Sequence, residues 1–280
     1  MRYRFHDDWR LPIEPGQALD RGWTAANGQR PVAVTWHWTA TATLAECNAL
    51  LGGDDAAFKG RASAHYAVGR TFDEGIARYV DLGDRSWHAG KHQTLRFDGR
   101  PYAGPDDKGA RTSIGVETVN LGYARDGVPA AEDWIRAHTV DGQRAMLVQP
   151  WTDEQVEMMI AVGREILARW PHLGPRCHHG HHDLCPGYKV DPAGFPFARV
   201  LRGIYGDPDL PDVWTRHWTD RGRRSSLRAL GYDSAVAVDA DAWFRADDLA
   251  LRRFQRDQGM VPNGLFTTAV CWRIHDAADG

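Results

Sequence analysis

The sequence has little cysteine and no long apolar run. Its four cysteines, Cys47, Cys177, Cys185 and Cys271, are widely spaced and form no C-x-x-C pair. A disulfide framework is therefore excluded as the organising device, and reduced thiols are expected. No stretch approaches the length of a membrane span. The opening residues Met1 to Asp8 lack the apolar core of a signal peptide. Synthesis in the cytoplasm is expected, and any work outside the cell would need another route of release. A large excess of one charge is also missing: the net charge is -3, which gives no basis for a nucleic acid or an anionic membrane as partner. Finally, no H-E-x-x-H occurs, which counts against a zinc peptidase of that type.

What is present is ordinary in bulk and unusual in detail. An apolar fraction of 42% and a charged fraction of 25% fit a globular protein. At 280 residues the chain can hold one large domain and one small one. Twelve tryptophans are many for this length. Some belong in cores, but exposed indoles also stack on sugar rings, which tilts the reading toward a ligand containing carbohydrate.

The stretch His178 to Pro192, H-H-G-H-H-D-L-C-P-G-Y-K-V-D-P, carries four histidines, two aspartates, a lysine and a cysteine. Imidazole nitrogens and a carboxylate oxygen are the ligands of a catalytic zinc that keeps one position open for water. The bland alternative is a His-rich surface turn that binds nothing.

The rest of the chain supplies partners for that loop. Residues 1 to about 30 are polar and broken by Pro12, Pro15 and Gly16, so an irregular lead-in is expected. Pro31 to Trp38 reads as a strand, with Val32, Val34 and Trp36 on one face and Ala33, Thr35 and His37 on the other. His37 falls at the C-terminal end, where α/β sheets place their chemistry, although a half-buried core histidine would look the same. A short helix follows, ending in Gly52 and Gly53. Ala64 to Arg70 and Ile76 to Leu82 suggest a hairpin, and Ser86 to Gly90 (S-W-H-A-G) an exposed loop offering an indole and an imidazole. Residues 91 to about 111 are rich in Gly, Pro, Asp and Lys and predict a long loop.

Ser113 to Val119 is a further strand in which Gly115 and Glu117 share a face. A carboxylate inside an apolar strand is costly unless paired or working, and Gly115 would let a ligand approach the backbone. An exposed edge position for Glu117 is the alternative. Residues 121 to 150 read as a second irregular excursion with a helical piece around Glu132 to His138. Thr152 to Trp170 is the clearest helix, opened by a Thr152/Gln155 capping box and carrying apolar residues at helical spacing. Phe195 to Tyr205 predicts a short closing helix. Gly206 to Asp212 (G-D-P-D-L-P-D) reads as a linker, and Arg223 to Leu230, Ala246 to Gln258 and Thr267 to His275 have helical patterns.

Taken together, V-T-W-H-W-T-A at His37, S-A-H-Y at Ser63 to Tyr66, W-H-A-G at Trp87, S-I-G-V-E at Glu117 and G-H-H-D-L-C-P-G-Y-K-V-D-P resemble the zinc-dependent type 2 N-acetylmuramoyl-L-alanine amidases, relatives of the peptidoglycan recognition proteins. The resemblance spans roughly Pro31 to Tyr205. It implies an α/β fold with a central mixed β-sheet flanked by helices. It further implies Zn2+ held by His37, His181 and Asp191, water activation by Glu117 and oxyanion stabilisation by Lys189. The choice of His181 rests on the family spacing of eight residues to Lys189 and ten to Asp191. A slip to His182 is the competing register, and Cys185 is taken as a packed thiol. Tyr66, Trp87 and His88 are candidate substrate contacts, though each type is more often structural.

Leu227 to Asp233 and Leu251 to Val270 resemble the small helical peptidoglycan-binding module of cell-wall hydrolases, with A-V-A-V-D-A-D-A-W-F replacing a shorter connection. A purely stabilising cap is the alternative. The expected division is a catalytic domain over 1–206, a linker over 207–218 and a three-helix domain over 219–280. The implied activity is hydrolysis of the amide joining N-acetylmuramic acid to L-alanine in peptidoglycan, by a monomeric, endolysin-like enzyme acting on the wall. An amidase recycling anhydro-muropeptides inside the cell, or a recognition protein without catalysis, are the alternatives.

Overall fold

The computed structural model describes residues 2–7, 23–25, 28, 30–51, 62–90, 93–97, 100–104 and 109–279. Two short strands, β1 (Phe5–His6) and β2 (Trp23–Ala25), precede β3 (Ala33–Trp38) and α1 (Leu44–Leu51). The hairpin of β4 (Tyr66–Val68) and β5 (Ile76–Arg78) is followed by β6 (Asp84–Ser86), β7 (Arg96–Phe97), β8 (Arg100–Pro101) and the single turn α2 (Gly109–Thr112). Then come β9 (Ser113–Thr118), β10 (Ile135–His138), β11 (Ala145–Val148), α3 (Asp153–Arg169), β12 (His178–Gly180), the turn α4 (His181–Leu184) and α5 (Phe197–Tyr205). Helices α6 (Asp220–Ala229), α7 (Arg245–Asp257) and α8 (Thr268–Asp279) complete the chain. None of the described helices is long and apolar enough to cross a membrane.

A six-stranded mixed sheet in the order β1-β5-β4-β9-β3-β12 forms the centre. β3 pairs in parallel with both β9 and β12, and β4 pairs parallel with β9 and antiparallel with β5. Both faces of the middle strands are buried, as parallel strands covered by helices require. Val34, Trp36, Val68, Ile114 and Val116 face α3 and α5, meeting Val156, Met159, Val162, Val200 and Leu201 in the main core. The opposite face carries smaller and polar residues. There Ala67, Ala77 and Tyr79 pack with Leu44 and Cys47 of α1, while Thr35 and His37 lie buried with polar partners. α3 starts at Thr152, whose hydroxyl accepts from Gln155 N at 3.0 Å while the Gln155 side chain accepts from Thr152 N at 3.2 Å. This is the expected reciprocal cap.

Several local expectations are corrected. The piece around Glu132 to His138 is not helical: Ile135–His138 pairs antiparallel with Ala145–Val148. Its inner residues Ala137, Met146 and Val148 close a small core with Ala193, and that distant partner decides the conformation. Within the lead-in, Phe5–His6 is an edge strand on β5 and Trp23–Ala25 pairs with β6; residues 8–22 lie outside the described residues. The 91–111 loop contains the small β7–β8 ladder and α2, with 91, 92, 98, 99 and 105–108 outside the description.

Residues 207–218 are packed rather than extended. Leu210, Val213 and Trp214 are buried, and Trp214 stacks on Phe197 at 5.1 Å and meets Trp272 edge-on at 5.3 Å. One apolar core thus runs from the sheet through α5 into α6, α7 and α8. Polar ties accompany it. The Asp183 carboxylate accepts from Thr268 N at 2.9 Å and from Thr268 Oγ1 at 2.8 Å, capping α8, and also from Gly180 N at 3.0 Å. Asp183→Ala would strand buried donors, which costs about 1–3 kcal/mol. A thermal melt should fall accordingly, and an unchanged melt would mean that the tie adds nothing.

The helical unit has its own polar knot. Arg224 and Asp247 are fully buried, with Arg224 Nη2 donating to Asp247 Oδ2 at 2.9 Å and Nη1 to the Ala240 carbonyl at 2.7 Å. Removing one member of such a pair leaves an uncompensated charge and typically costs about 3–5 kcal/mol. Asp247→Ala is therefore expected to melt α6 and α7 first, measured by hydrogen exchange, with protection in β3 and β9 retained longest.

Candidate metal centre

The parallel register sets His37 of β3 directly beside Glu117 of β9. Next to β3 on its other edge, His178, His179 and Gly180 pair with Val34, Thr35 and Trp36, so His181 follows one step later, level with His37. The chain then turns through α4 and returns with Asp191. His37, His181 and Asp191 converge, all buried, with their ligand atoms within 4.8 Å of one another. His37 Nδ1 lies 3.0 Å from His181 Nδ1, and Asp191 Oδ2 is 2.9 Å from His181 Nδ1 and 3.3 Å from His37 Nδ1.

A metal fits this triangle. Tetrahedral zinc with ligands about 2.0–2.1 Å away holds them about 3.3 Å apart. Each imidazole uses its other nitrogen elsewhere: His37 Nε2 bonds His88 Nδ1 at 2.9 Å, and His181 Nε2 bonds Gln93 Oε1. With both outer nitrogens donating, both Nδ1 atoms present bare lone pairs to each other and to a carboxylate. Such a concentration of buried lone pairs is unfavourable unless a cation lies among them.

The electrostatics agree. Burial first, and the neighbouring His181 second, hold His37 down to about 4, so the ring is neutral and able to ligate at neutral pH. Burial pushes Asp191 upward, but its close approach to His181 and then His37 wins and keeps its carboxyl well below the ordinary range. Glu117 behaves oppositely. Burial first, and the Asp191 charge second, push it well above the ordinary range, against a smaller pull from Lys189. Its Oε1 is 3.9 Å from His37 Nδ1, and its buried Oε2 has no hydrogen-bond partner among the described residues. Lys189 is half-buried, two residues before Asp191, where Gly187 adopts a positive φ of 83° that turns the loop back toward the sheet.

The remaining loop residues have structural partners. His178 Nδ1 accepts from Trp36 Nε1 at 3.1 Å and its Nε2 donates to Tyr205 Oη at 2.9 Å. His179 bonds Thr35 Oγ1 at 3.0 Å, and His182 packs edge-on to Trp218. His182 is thus outside the ligand triangle. Cys185 is a half-buried free thiol.

The three candidate substrate contacts each have a partner within the chain. Tyr66 is buried on the α3 side of the sheet, its hydroxyl donating to Glu165 Oε1 at 2.7 Å. The Trp87 indole donates to Thr24 Oγ1 at 3.0 Å. His88 is buried rather than exposed, because its ring fills the space left by Gly115: a Cβ on that glycine would lie 2.3 Å from His88 Cγ. The room at Gly115 serves an imidazole, not a ligand. Gln93, in the Gly- and Pro-rich stretch, gave no signal in the sequence.

Residues 27–194 match the family model described as N-acetylmuramoyl-L-alanine amidase. The chain belongs to this amidase family. Its match contains every residue of the triangle, with Glu117 and Lys189. Among solved structures, AmpDh3 from Pseudomonas aeruginosa in complex with anhydromuramic pentapeptide is 24% identical with a TM-score of 0.50, covering 96% of this chain and 91% of that one. The amidase AmiD from E. coli, in complex with anhydro-N-acetylmuramic acid-L-Ala-D-gamma-Glu-L-Lys, is 19% identical with a TM-score of 0.49, covering 90% and 91%. The first of these likenesses shows a shared amidase fold. No curated protein matches the chain.

Proposed function

We propose that the amidase is zinc-dependent and hydrolyses the bond between the lactyl group of N-acetylmuramic acid and the L-alanine of the stem peptide. The observation that carries this reading is the buried triangle of His37, His181 and Asp191 with the Glu117 carboxylate beside it on the neighbouring strand. When bound there, zinc would lower the pKa of water toward ~7 and polarise the scissile carbonyl.

The chain's own groups do the rest. Glu117, with one oxygen unpartnered among the described residues, takes the proton of the attacking water and returns it to the leaving amine of L-alanine. Lys189 stabilises the negative charge that develops on the carbonyl oxygen. Lys189→Met is expected to lower kcat by about 10²–10³-fold with bound zinc unchanged. Equal kcat in the variant would remove Lys189 from the mechanism.

The C-terminal helices resemble a peptidoglycan-binding module, and on that basis the division into 1–206, 207–218 and 219–280 is kept as part of the proposal. It favours polymeric wall as substrate, approached by a monomer after release from the cytoplasm by a separate route. Cleavage of soluble anhydro-muropeptides is the second reading, favoured by the ligand class held by AmpDh3. Incubation with bacterial sacculi and, separately, with anhydro-muropeptides decides between them. Stem peptides released from sacculi support wall lysis, and turnover of the soluble substrate alone supports recycling. Binding to sacculi without cleavage of either would replace both with a recognition protein.

A further inference from the structure

Behind the ligand triangle runs a chain of buried hydrogen bonds that ends on backbone carbonyls. Ser113 Oγ donates to the Gly109 carbonyl at 2.6 Å, since a carbonyl only accepts. Its one proton is then used, and it must accept from Thr35 Oγ1 at 2.9 Å. His88 Nε2 sits 3.2 Å from that same oxygen and 3.3 Å from the Ser113 carbonyl. Only acceptors face it, so Nε2 carries the hydrogen. In a neutral ring His88 Nδ1 is then bare, and His37 Nε2–H donates to it at 2.9 Å. The remaining lone pair of His37 is thereby placed on Nδ1, the atom that faces His181 and Asp191.

Gln93 performs the same office for His181 by accepting at Nε2. It is tied at its own backbone, its N–H donating to the Gly90 carbonyl at 3.0 Å and its carbonyl accepting from Gly109 N at 2.7 Å. Gly109 thus joins both arms: its carbonyl terminates the His88 chain and its N–H holds Gln93. Gly115 leaves the recess in which the His88 ring lies.

We propose that His88 and Gln93 are positioning residues that fix the tautomer and ring orientation of His37 and His181, so that both present Nδ1 to the metal. The inference rests on the zinc reading of the triangle. Neither residue touches substrate; each acts through a ligand. Outer partners of metal-bound histidines commonly change metal affinity by about 10–100-fold when removed.

The test measures zinc affinity of the full-length apoprotein by competition with a chelating dye, and the visible spectrum of the Co2+ form, without any activity assay. His88→Leu and Gln93→Leu remove the acceptors. His88→Asn and Gln93→Glu retain an oxygen acceptor near the same position. Gly115→Ala displaces the His88 ring without altering its chemistry. The leucine variants and Gly115→Ala are expected to bind zinc about 10–100-fold more weakly with an altered cobalt spectrum, while His88→Asn and Gln93→Glu recover most of the affinity and the parent spectrum. Circular dichroism checks folding, and if His88→Leu does not fold, the two Gln93 variants decide. Folded leucine variants with parent affinity and parent spectrum would overturn the proposal. If the parent protein itself binds neither ion, or binds as tightly after Asp191→Ala, it is the zinc reading that fails instead.

Discussion

Replacing Glu117 by glutamine is expected to reduce amidase turnover by about 10²–10⁴-fold while leaving zinc stoichiometry intact. Glutamine keeps the size and the buried position but cannot accept a proton from water. The surroundings favour a clean result. Glu117 Oε2 has no hydrogen-bond partner to lose among the described residues, and the strand register with His37 does not depend on the side chain. Burial and the Asp191 charge disfavour the ionised form of Glu117, so a neutral amide relieves an unfavourable charge, and the variant should be at least as stable as the parent. Turnover measured beside zinc content separates the two roles. A variant that keeps parent turnover would mean that another group activates the water. One that loses zinc would mean that Glu117 is a ligand.

The second large effect concerns Asp191. Asp191→Ala removes the carboxylate that bridges toward both imidazoles at 2.9 and 3.3 Å. With one of three protein ligands gone, zinc should be lost at ordinary concentrations and activity should fall to background. The consequence extends to stability. An ion bound only by the folded state adds RT ln(1 + [L]/Kd), about 4 kcal/mol at a thousandfold excess over Kd. A chelator should therefore lower the melting temperature of the parent protein and leave that of Asp191→Ala unchanged. Equal responses to the chelator in the two proteins would detach Asp191 from the metal.

The layout of this centre was largely legible in the sequence because its residue types are costly to bury without a purpose. Period-two alternation placed His37 and Glu117 on the less apolar face of their strands, and the resemblance to the amidase family, through its spacing to Lys189 and Asp191, pointed to His181 over His182. The parallel register that sets His37 against Glu117 follows from pairing two strands of equal length whose alternation matches. The mixed sheet flanked by helices came with the family resemblance, while the Thr152 cap of α3 was legible from its own residues.

What the sequence did not reveal depends on partners far along the chain. His88 looked exposed because S-W-H-A-G is a loop by composition; only the recess over Gly115, across the fold on β9, buries it. Gln93 lay in a stretch whose glycines and prolines signal a loop and nothing more. Ile135 to His138 has too short an apolar pattern to separate helix from strand, and pairing with Ala145 to Val148 decided it. Trp214, inside an apparent linker, becomes a core residue because Phe197 and Trp272 lie on either side of it.

The central claim is that the buried triangle and Glu117 direct a water molecule onto the lactyl carbonyl of a muramyl peptide. The most direct measurement is digestion of a defined muropeptide in ¹⁸O-labelled water, with and without a zinc chelator, followed by mass spectrometry of both products. The account expects one labelled oxygen in the carboxylate of the muramic acid fragment, an unlabelled peptide beginning at L-alanine, and no products in the chelated sample until zinc is restored. Label in the peptide carboxyl groups, or cleavage that persists with the metal removed, would contradict it.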